Sequence, residues 1–218
     1  MYILIPLCLC FLAACLYNEK QKKHVRATVF KGLASLSFVT LGLLCSPGGK
    51  TASLVTAGLI LGMIADILLN LRFVFKEKAQ SVFLAGILVF LSGHILYLAA
   101  VFPLIRHRLT AVIAGAAVTA VLIGWLFGRI TAKKSFRIFG IIYIGAIMIL
   151  NVTALFNIIE HPAAFSMIFA AGTFLFLISD VVLILNTFGP QTRFGLRVTN
   201  TVLYYVGQLL IALSLLKL

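Results

Sequence analysis

AAFSMIFAAGTFLFLISDVVLILNT, residues 163–187, is an unbroken apolar stretch whose one charged residue is Asp180. At about 1.5 Å per residue, a helix of this length is longer than the roughly 30 Å hydrocarbon core of a bilayer. The stretch therefore reads as a transmembrane helix with a carboxyl group inside it. Working outward, charged clusters and turn formers divide the rest of the chain into seven more such stretches. The expected spans are residues 2–17, 27–45, 51–71, 80–102, 109–128, 138–159, 163–187 and 198–216.

The whole composition agrees. Of 218 residues, 62% are hydrophobic and 11% charged, and the mean hydropathy is +1.16, outside the range of soluble domains. The expectation is a single all-α, polytopic membrane domain of eight transmembrane helices over residues 1–218, without a separate soluble catalytic domain. A net charge of +13 suggests nucleic acid in a soluble protein. Here the basic residues lie between spans, where they set orientation and meet lipid headgroups, so no nucleic-acid role is read.

The odd connections hold Lys20, Lys22, Lys23 and Arg26, then Arg72, Lys76 and Lys78, then Arg129, Lys133, Lys134 and Arg137, and last Arg193 and Arg197; the even ones hold Lys50, Arg106 and Arg108. This bias places the odd loops in the cytoplasm and both termini on the other side. A basic chain without a recognisable targeting extension reads as a bacterial inner-membrane protein. The stretch before Cys15 resembles a lipoprotein cleavage box, but it lacks a preceding basic residue and is followed by a basic cluster, the wrong polarity for a cleaved signal. Cys8, Cys10, Cys15 and Cys45 lie in apolar stretches without a CxxC pair or His at zinc spacing, so neither a disulfide framework nor a metal site is expected.

An offset of 114 residues lays Gly58, Asp66 and Gly93-His94 onto Gly172, Asp180 and Gly207-Gln208, with Leu61, Ile64, Leu69, Leu71 and Leu96 meeting identical residues. The match defines a candidate 4+4 internal repeat. Because four spans is an even number, its halves would be parallel, related by an axis along the membrane normal.

Glu19, Glu77 and Glu160 fall in loops, leaving Asp66 and Asp180 as the carboxyl groups within spans. A charge at membrane depth costs about 2.5–3.5 kcal/mol even on lenient scales, so these residues are the candidate catalytic pair. Counting from the cytoplasmic ends puts Lys31 at roughly 6 Å, Asp66 and Tyr143 at 8 Å, Asp180 and Tyr205 at 10 Å and Gln208 at 15 Å, with His94 deeper at roughly 20 Å. Polar groups from five spans thus converge. Ser179, Tyr143 and Tyr205 have bland alternatives as interhelical glue or interface anchors, and Lys31 as a snorkelling cation; Asn70 and Asn151 carry less signal. Two carboxyls sharing a low-dielectric pocket suit hydrolysis of an acetal-like or ether-like bond, one donating a proton and the other activating water. They suit proton-coupled transport equally. An intramembrane aspartyl protease lacks its signatures here, and an intramembrane zinc hydrolase lacks ligands, since His24, His107 and His161 lie in loops.

Lys31 opening the second span, Gly62-x-x-x-Asp66, Phe83-x-x-Gly86-x-x-x-Phe90-x-x-x-His94-x-x-Tyr97, Gly172-x-x-x-Phe176-x-x-Ser179-Asp180 and Tyr205-x-x-Gln208 form an ordered set. Together they resemble the YhhN family, whose characterised animal members are lysoplasmalogenases, and the resemblance spans nearly the whole chain. It implies an eight-span hydrolase that cleaves the vinyl ether bond of a lysoplasmalogen to a fatty aldehyde and a glycerophospho-ethanolamine or glycerophospho-choline, with no metal or other cofactor. The implied partners are that lysophospholipid and the surrounding membrane lipids. Carried over by position, the family's aspartates match Asp66 and Asp180, and their companions match Lys31, His94, Tyr97, Ser179, Tyr205 and Gln208. This chain has Lys31-Gly32 and Ala65-Asp66 where members commonly show Lys-Pro and Gly-Asp, and neither change removes a chemical group. In that reading Lys31 meets the substrate phosphate, while His94, Tyr205 or Gln208 holds water.

Overall fold

The computed structural model describes residues 1–131 and 134–218, with the backbone alone at 134 and 135. Lys133, expected in the fifth connection, therefore lies outside the described residues, as does the side chain of Lys134. All described regular structure is helical: α1 Leu4–Lys20, α2 His24–Cys45, α3 Lys50–Leu71, α4 Ala79–Val101, α5 Arg108–Phe127, α6 Lys134–Glu160, α7 Ala164–Phe188 and α8 Phe194–Ser214, with short 3₁₀ turns beside α4 and after α8. Each expected span coincides with one helix to within a few residues. Seven of the helices, α2 to α8, are long and apolar enough to cross a membrane, which makes this an integral membrane protein. The remaining helix, α1, has 17 residues.

Successive helices pair as hairpins, α1 with α2, α3 with α4, α5 with α6 and α7 with α8. The tight α2–α3 connection passes through Gly48 and Gly49, both at positive φ (85° and 88°), a conformation that a Cβ disfavours. Across the hairpins, α2 packs on α3 and α8, and α6 packs on α7 and α4. The core therefore consists of α2, α3, α4, α6, α7 and α8, with α1 applied to α2 and α5 to α6.

Glycines set the closest crossings. A Cβ at Gly172 of α7 would lie 2.8 Å from the Gly207 carbonyl oxygen of α8, and one at Gly207 would lie 2.8 Å from that of Gly172. In the α3–α4 hairpin, a Cβ at Gly93 would lie 3.4 Å from the Gly58 carbonyl oxygen, while the Tyr97 ring occupies the notch over Gly58. Small residues let backbones approach where lipid provides no hydrophobic drive to bring helices together. The four glycines are those the 114-residue offset pairs.

Along α8, Thr201, Tyr204, Tyr205 and Gln208 are all buried. Their i, i+3, i+4, i+7 spacing puts them on one face. That polar face turns inward against α2, α3 and α7 and brings three hydrogen-bonding side chains to the level of the buried carboxylates.

Candidate active site

Asp66, on α3, is 1% exposed and is held from two neighbouring helices. From α2, Lys31 Nζ lies 3.3 Å from Oδ1 and Ser35 Oγ donates to Oδ2 at 2.7 Å. From α8, the Tyr204 hydroxyl donates to the same oxygen at 2.8 Å. Lys31 and Ser35 act together because one helical turn separates them.

Behind Tyr204 the donors continue in one direction. Tyr97 OH donates to Gln208 Oε1 at 2.9 Å, and Gln208 Nε2 donates to Tyr204 OH at 3.1 Å. Every bond in this relay points its proton toward Asp66, so each polarises the next. Gly62 makes room for it, since a Cβ there would lie 2.6 Å from Gln208 Nε2 and 3.2 Å from Tyr204 OH. Tyr205 does not touch the carboxylate. Its hydroxyl lies 2.8 Å from Ser35 Oγ and donates to the Lys31 carbonyl at 3.1 Å, steadying the α2 pair from behind.

Asp180, on α7, has a sparser set of partners, from α6 and α4. Tyr143 OH donates to Oδ2 at 2.8 Å, and His94 Nε2 stands 3.9 Å from the same oxygen, too far for a direct hydrogen bond. His94 Nδ1 lies 2.8 Å from the Phe90 carbonyl oxygen. A carbonyl only accepts, so Nδ1 carries the proton, and in the neutral ring Nε2 presents a lone pair toward Asp180. That nitrogen is buried and has no hydrogen-bond partner among the described residues. The imidazole is gripped by Tyr143, edge-on at 5.3 Å, and Phe176 at 4.6 Å. Ser179 faces α8 instead, where Asn200 Nδ2 donates to its hydroxyl oxygen at 2.8 Å and to its carbonyl at 2.9 Å. It locks α7 to α8 beside the aspartate.

The two networks meet at a cavity of about 30 Å³ lined by Lys31, Asp66, Asn70, Arg72, Phe90, Ser179, Asp180, Arg197, Asn200, Thr201 and Tyr204, among others. That is space for one water. Asp180, Phe90, Leu69 and Leu183 also line a second pocket of about 50 Å³, whose other walls are mostly apolar, including Phe83, Leu84, Ile87, Phe136, Phe139, Ile184 and Phe188 beside Tyr143 and Thr187. Toward the helix ends bearing the odd connections, Arg72, Leu183, Arg197 and Asn200 are shared with a vestibule of about 400 Å³. Three compartments thus adjoin in sequence: a cationic mouth, a cavity bordered by both aspartates, and an apolar pocket.

The sequence model of the YhhN family matches residues 26–215, from the first turn of α2 to the end of the bundle. The chain belongs to the YhhN family. No curated protein matches it, and no solved structure does. The matched region contains both networks whole.

In this YhhN protein, the residues singled out from sequence divide between the networks. Lys31, Asp66, Tyr97, Tyr205 and Gln208 belong to the first, His94, Tyr143 and Asp180 to the second, and Ser179, bonded to Asn200, to neither. His94 reaches Asp180 although counting residues from the helix ends puts it deeper, because such a count ignores tilt and stagger between α4 and α7. Sequence reading overlooked Ser35 and Tyr204, the two hydroxyl donors on Asp66, and Asn200, the partner of Ser179. It also undervalued Asn70, which is buried and accepts from Arg197 at 3.2 Å. The available signal was helical spacing: Ser35 is four residues after Lys31, and Tyr204 four before Gln208. Among the described residues, no three His, Cys, Asp or Glu side chains gather as they would around a metal.

Proposed function

We propose that this YhhN protein is an intramembrane hydrolase that cleaves the vinyl ether bond of lysoplasmalogens, with Asp66 and Asp180 as the acid–base pair. The observation that carries the reading is that both carboxyl groups border one cavity, and that Asp180 also borders an apolar pocket. An alkenyl chain in that pocket would present its vinyl ether between the two aspartates.

The differing surroundings suggest the roles. Asp66 faces an ammonium group and two hydroxyl donors, an environment made for a carboxylate. Among the described residues Asp180 has one hydroxyl donor and no Lys or Arg at ion-pair distance, and it faces the lone pair of His94, an environment that accommodates a protonated acid. In the proposed reaction Asp180 transfers its proton to the β-carbon of the vinyl ether. The α-carbon and ether oxygen then form an oxocarbenium ion, which the Asp66 carboxylate stabilises. Water adds to the α-carbon and gives up a proton to a carboxylate. The resulting hemiacetal collapses with protonation of the glycerol oxygen, releasing a fatty aldehyde and the glycerophosphoryl alcohol. Lys31 acts on Asp66, and His94 and Tyr143 orient Asp180.

The same reading takes all eight helices, α1 included, as spans, with the basic odd connections and the vestibule on the cytoplasmic side of a bacterial inner membrane and both termini opposite. It also takes the two halves as a parallel 4+4 duplication. Asp66 on α3 is held from α2 and α8, while Asp180 on α7 is held from α6 and α4, which is the pattern a two-fold exchange of halves produces. Purified protein should release aldehyde from a lysoplasmalogen and none from the matching saturated alkyl ether. Equal inertness toward both would sink the reading.

A further inference from the structure

Arg72 is not used by the chemistry above. It is the first residue after α3 and is drawn inward between two aromatic rings, with its guanidinium carbon 4.6 Å from the centre of Phe73 and 4.5 Å from that of Phe83. Its Nε is buried and has no hydrogen-bond partner among the described residues. Among the described residues no carboxylate lies within ion-pair distance of it, whereas neighbouring Arg197 is matched by Glu19 and Asn70. Burial, and then the charge of Arg197, pull the Arg72 guanidinium down to about 10. A half-buried guanidinium with an idle buried Nε and, among the described residues, no carboxylate at ion-pair distance is a site suited to an anion.

Position identifies the anion. Arg72 lines both the vestibule and the cavity between the aspartates. Arg193 stands exposed at the vestibule rim, its guanidinium tied among the described residues only to Gln191, at 2.9 Å, and His24 stacks on Phe73 at 5.6 Å. The geometry points to a phosphate-binding site in this vestibule, with Arg72 as its inner ligand and Arg193 as its outer one. The phosphate comes from the headgroup of a lysophospholipid, an assignment that rests on the hydrolase reading for the identity of the lipid. In such a lipid, the phosphate and the vinyl ether sit at opposite ends of one glycerol, as the vestibule and the aspartate cavity sit side by side. Lys31, committed to Asp66, is then free of any headgroup role.

The test measures binding, not turnover. A saturated acyl lysophosphatidylethanolamine, the monoacylglycerol of the same chain and inorganic phosphate are titrated into detergent-purified wild type, R72Q, R72K and R193Q. Wild type should prefer the phospholipid to the monoacylglycerol. R72Q should lose about tenfold or more in phospholipid affinity and none for the monoacylglycerol, with R72K intermediate and R193Q down a few-fold. Competition by millimolar phosphate would mark a site that also takes the free anion, and its absence, with Arg72 still required, one that takes it only on a lipid. Either supports the site. Folded R72Q that binds the phospholipid as wild type does would overturn it. Should R72Q not fold, an R193Q affinity equal to wild type, together with a phospholipid preference indifferent to salt, would overturn it equally. None of these ligands carries a vinyl ether, so failure of the hydrolase reading would leave the result standing.

Discussion

Replacing Lys31 by Met removes the ammonium group 3.3 Å from Asp66 while keeping most of the apolar stem. The side chains of the pair are 12% and 1% exposed, so water screens the interaction little. Breaking a buried ion pair by deleting one partner costs about 3–5 kcal/mol. Ser35 and Tyr204 still donate to the carboxylate, which puts the expected loss near the lower end, about 3 kcal/mol. Adding Asp66→Asn should remove the stranded charge, so K31M/D66N should be more stable than K31M alone, with a coupling energy of about 2 kcal/mol or more. Equilibrium unfolding of the four proteins in mixed detergent micelles measures this cycle. A K31M protein within about 0.5 kcal/mol of wild type, or single-variant losses that simply add, would refute Lys31 as the counter-ion of Asp66. Retained stability with weakened lysophospholipid binding would instead assign Lys31 to the phosphate.

The two adjacent tyrosines of α8 should behave differently. Y204F deletes a 2.8 Å bond to Asp66 and strands Gln208 Nε2, and should slow aldehyde release by roughly 10- to 100-fold, since hydrogen bonds to charged groups carry about 1.5–3 kcal/mol; Y205F, with no bond to the carboxylate, should stay within a few-fold. Steady-state rates with one lysoplasmalogen compare them, and equal losses would argue against the directed relay. Gly172→Leu pushes a side chain into the Gly207 carbonyl and should destabilise the protein by several kcal/mol, read as a lower thermal transition in detergent; Gly124→Leu, where a Cβ meets nothing, should leave the transition unchanged.

Helix number, helix type and most residues of the two buried networks were legible because apolar length and isolated charge are strong signals in a membrane chain. Asp66 and Asp180 stand out against their spans whatever the tertiary arrangement. Partner choice was not legible to the same degree. Tyr204 and Tyr205 are adjacent in sequence and both buried, and only the rotation of α8 against α2 and α3 decides that Tyr204 reaches Asp66 while Tyr205 reaches Ser35. Ser35 looked like any small polar residue in a helix. Its role follows from helix packing, which turns it toward a carboxylate 31 residues away. The vestibule escaped notice for a related reason: Arg72 comes from the third connection and Arg193 and Arg197 from the seventh, where basic residues already have a sufficient explanation in orientation.

The central claim is that both buried aspartates perform vinyl ether hydrolysis. Aldehyde release from a defined lysoplasmalogen should be measured for wild type, Asp66→Asn and Asp180→Asn, each shown to be folded by its thermal transition. The account predicts activity in wild type and a loss of at least about 100-fold in each variant, as expected when one member of an acid–base pair is removed. A folded variant that keeps wild-type turnover would contradict the two-carboxylate mechanism. A wild type that releases no aldehyde would contradict the hydrolase itself and turn attention to flux in proteoliposomes.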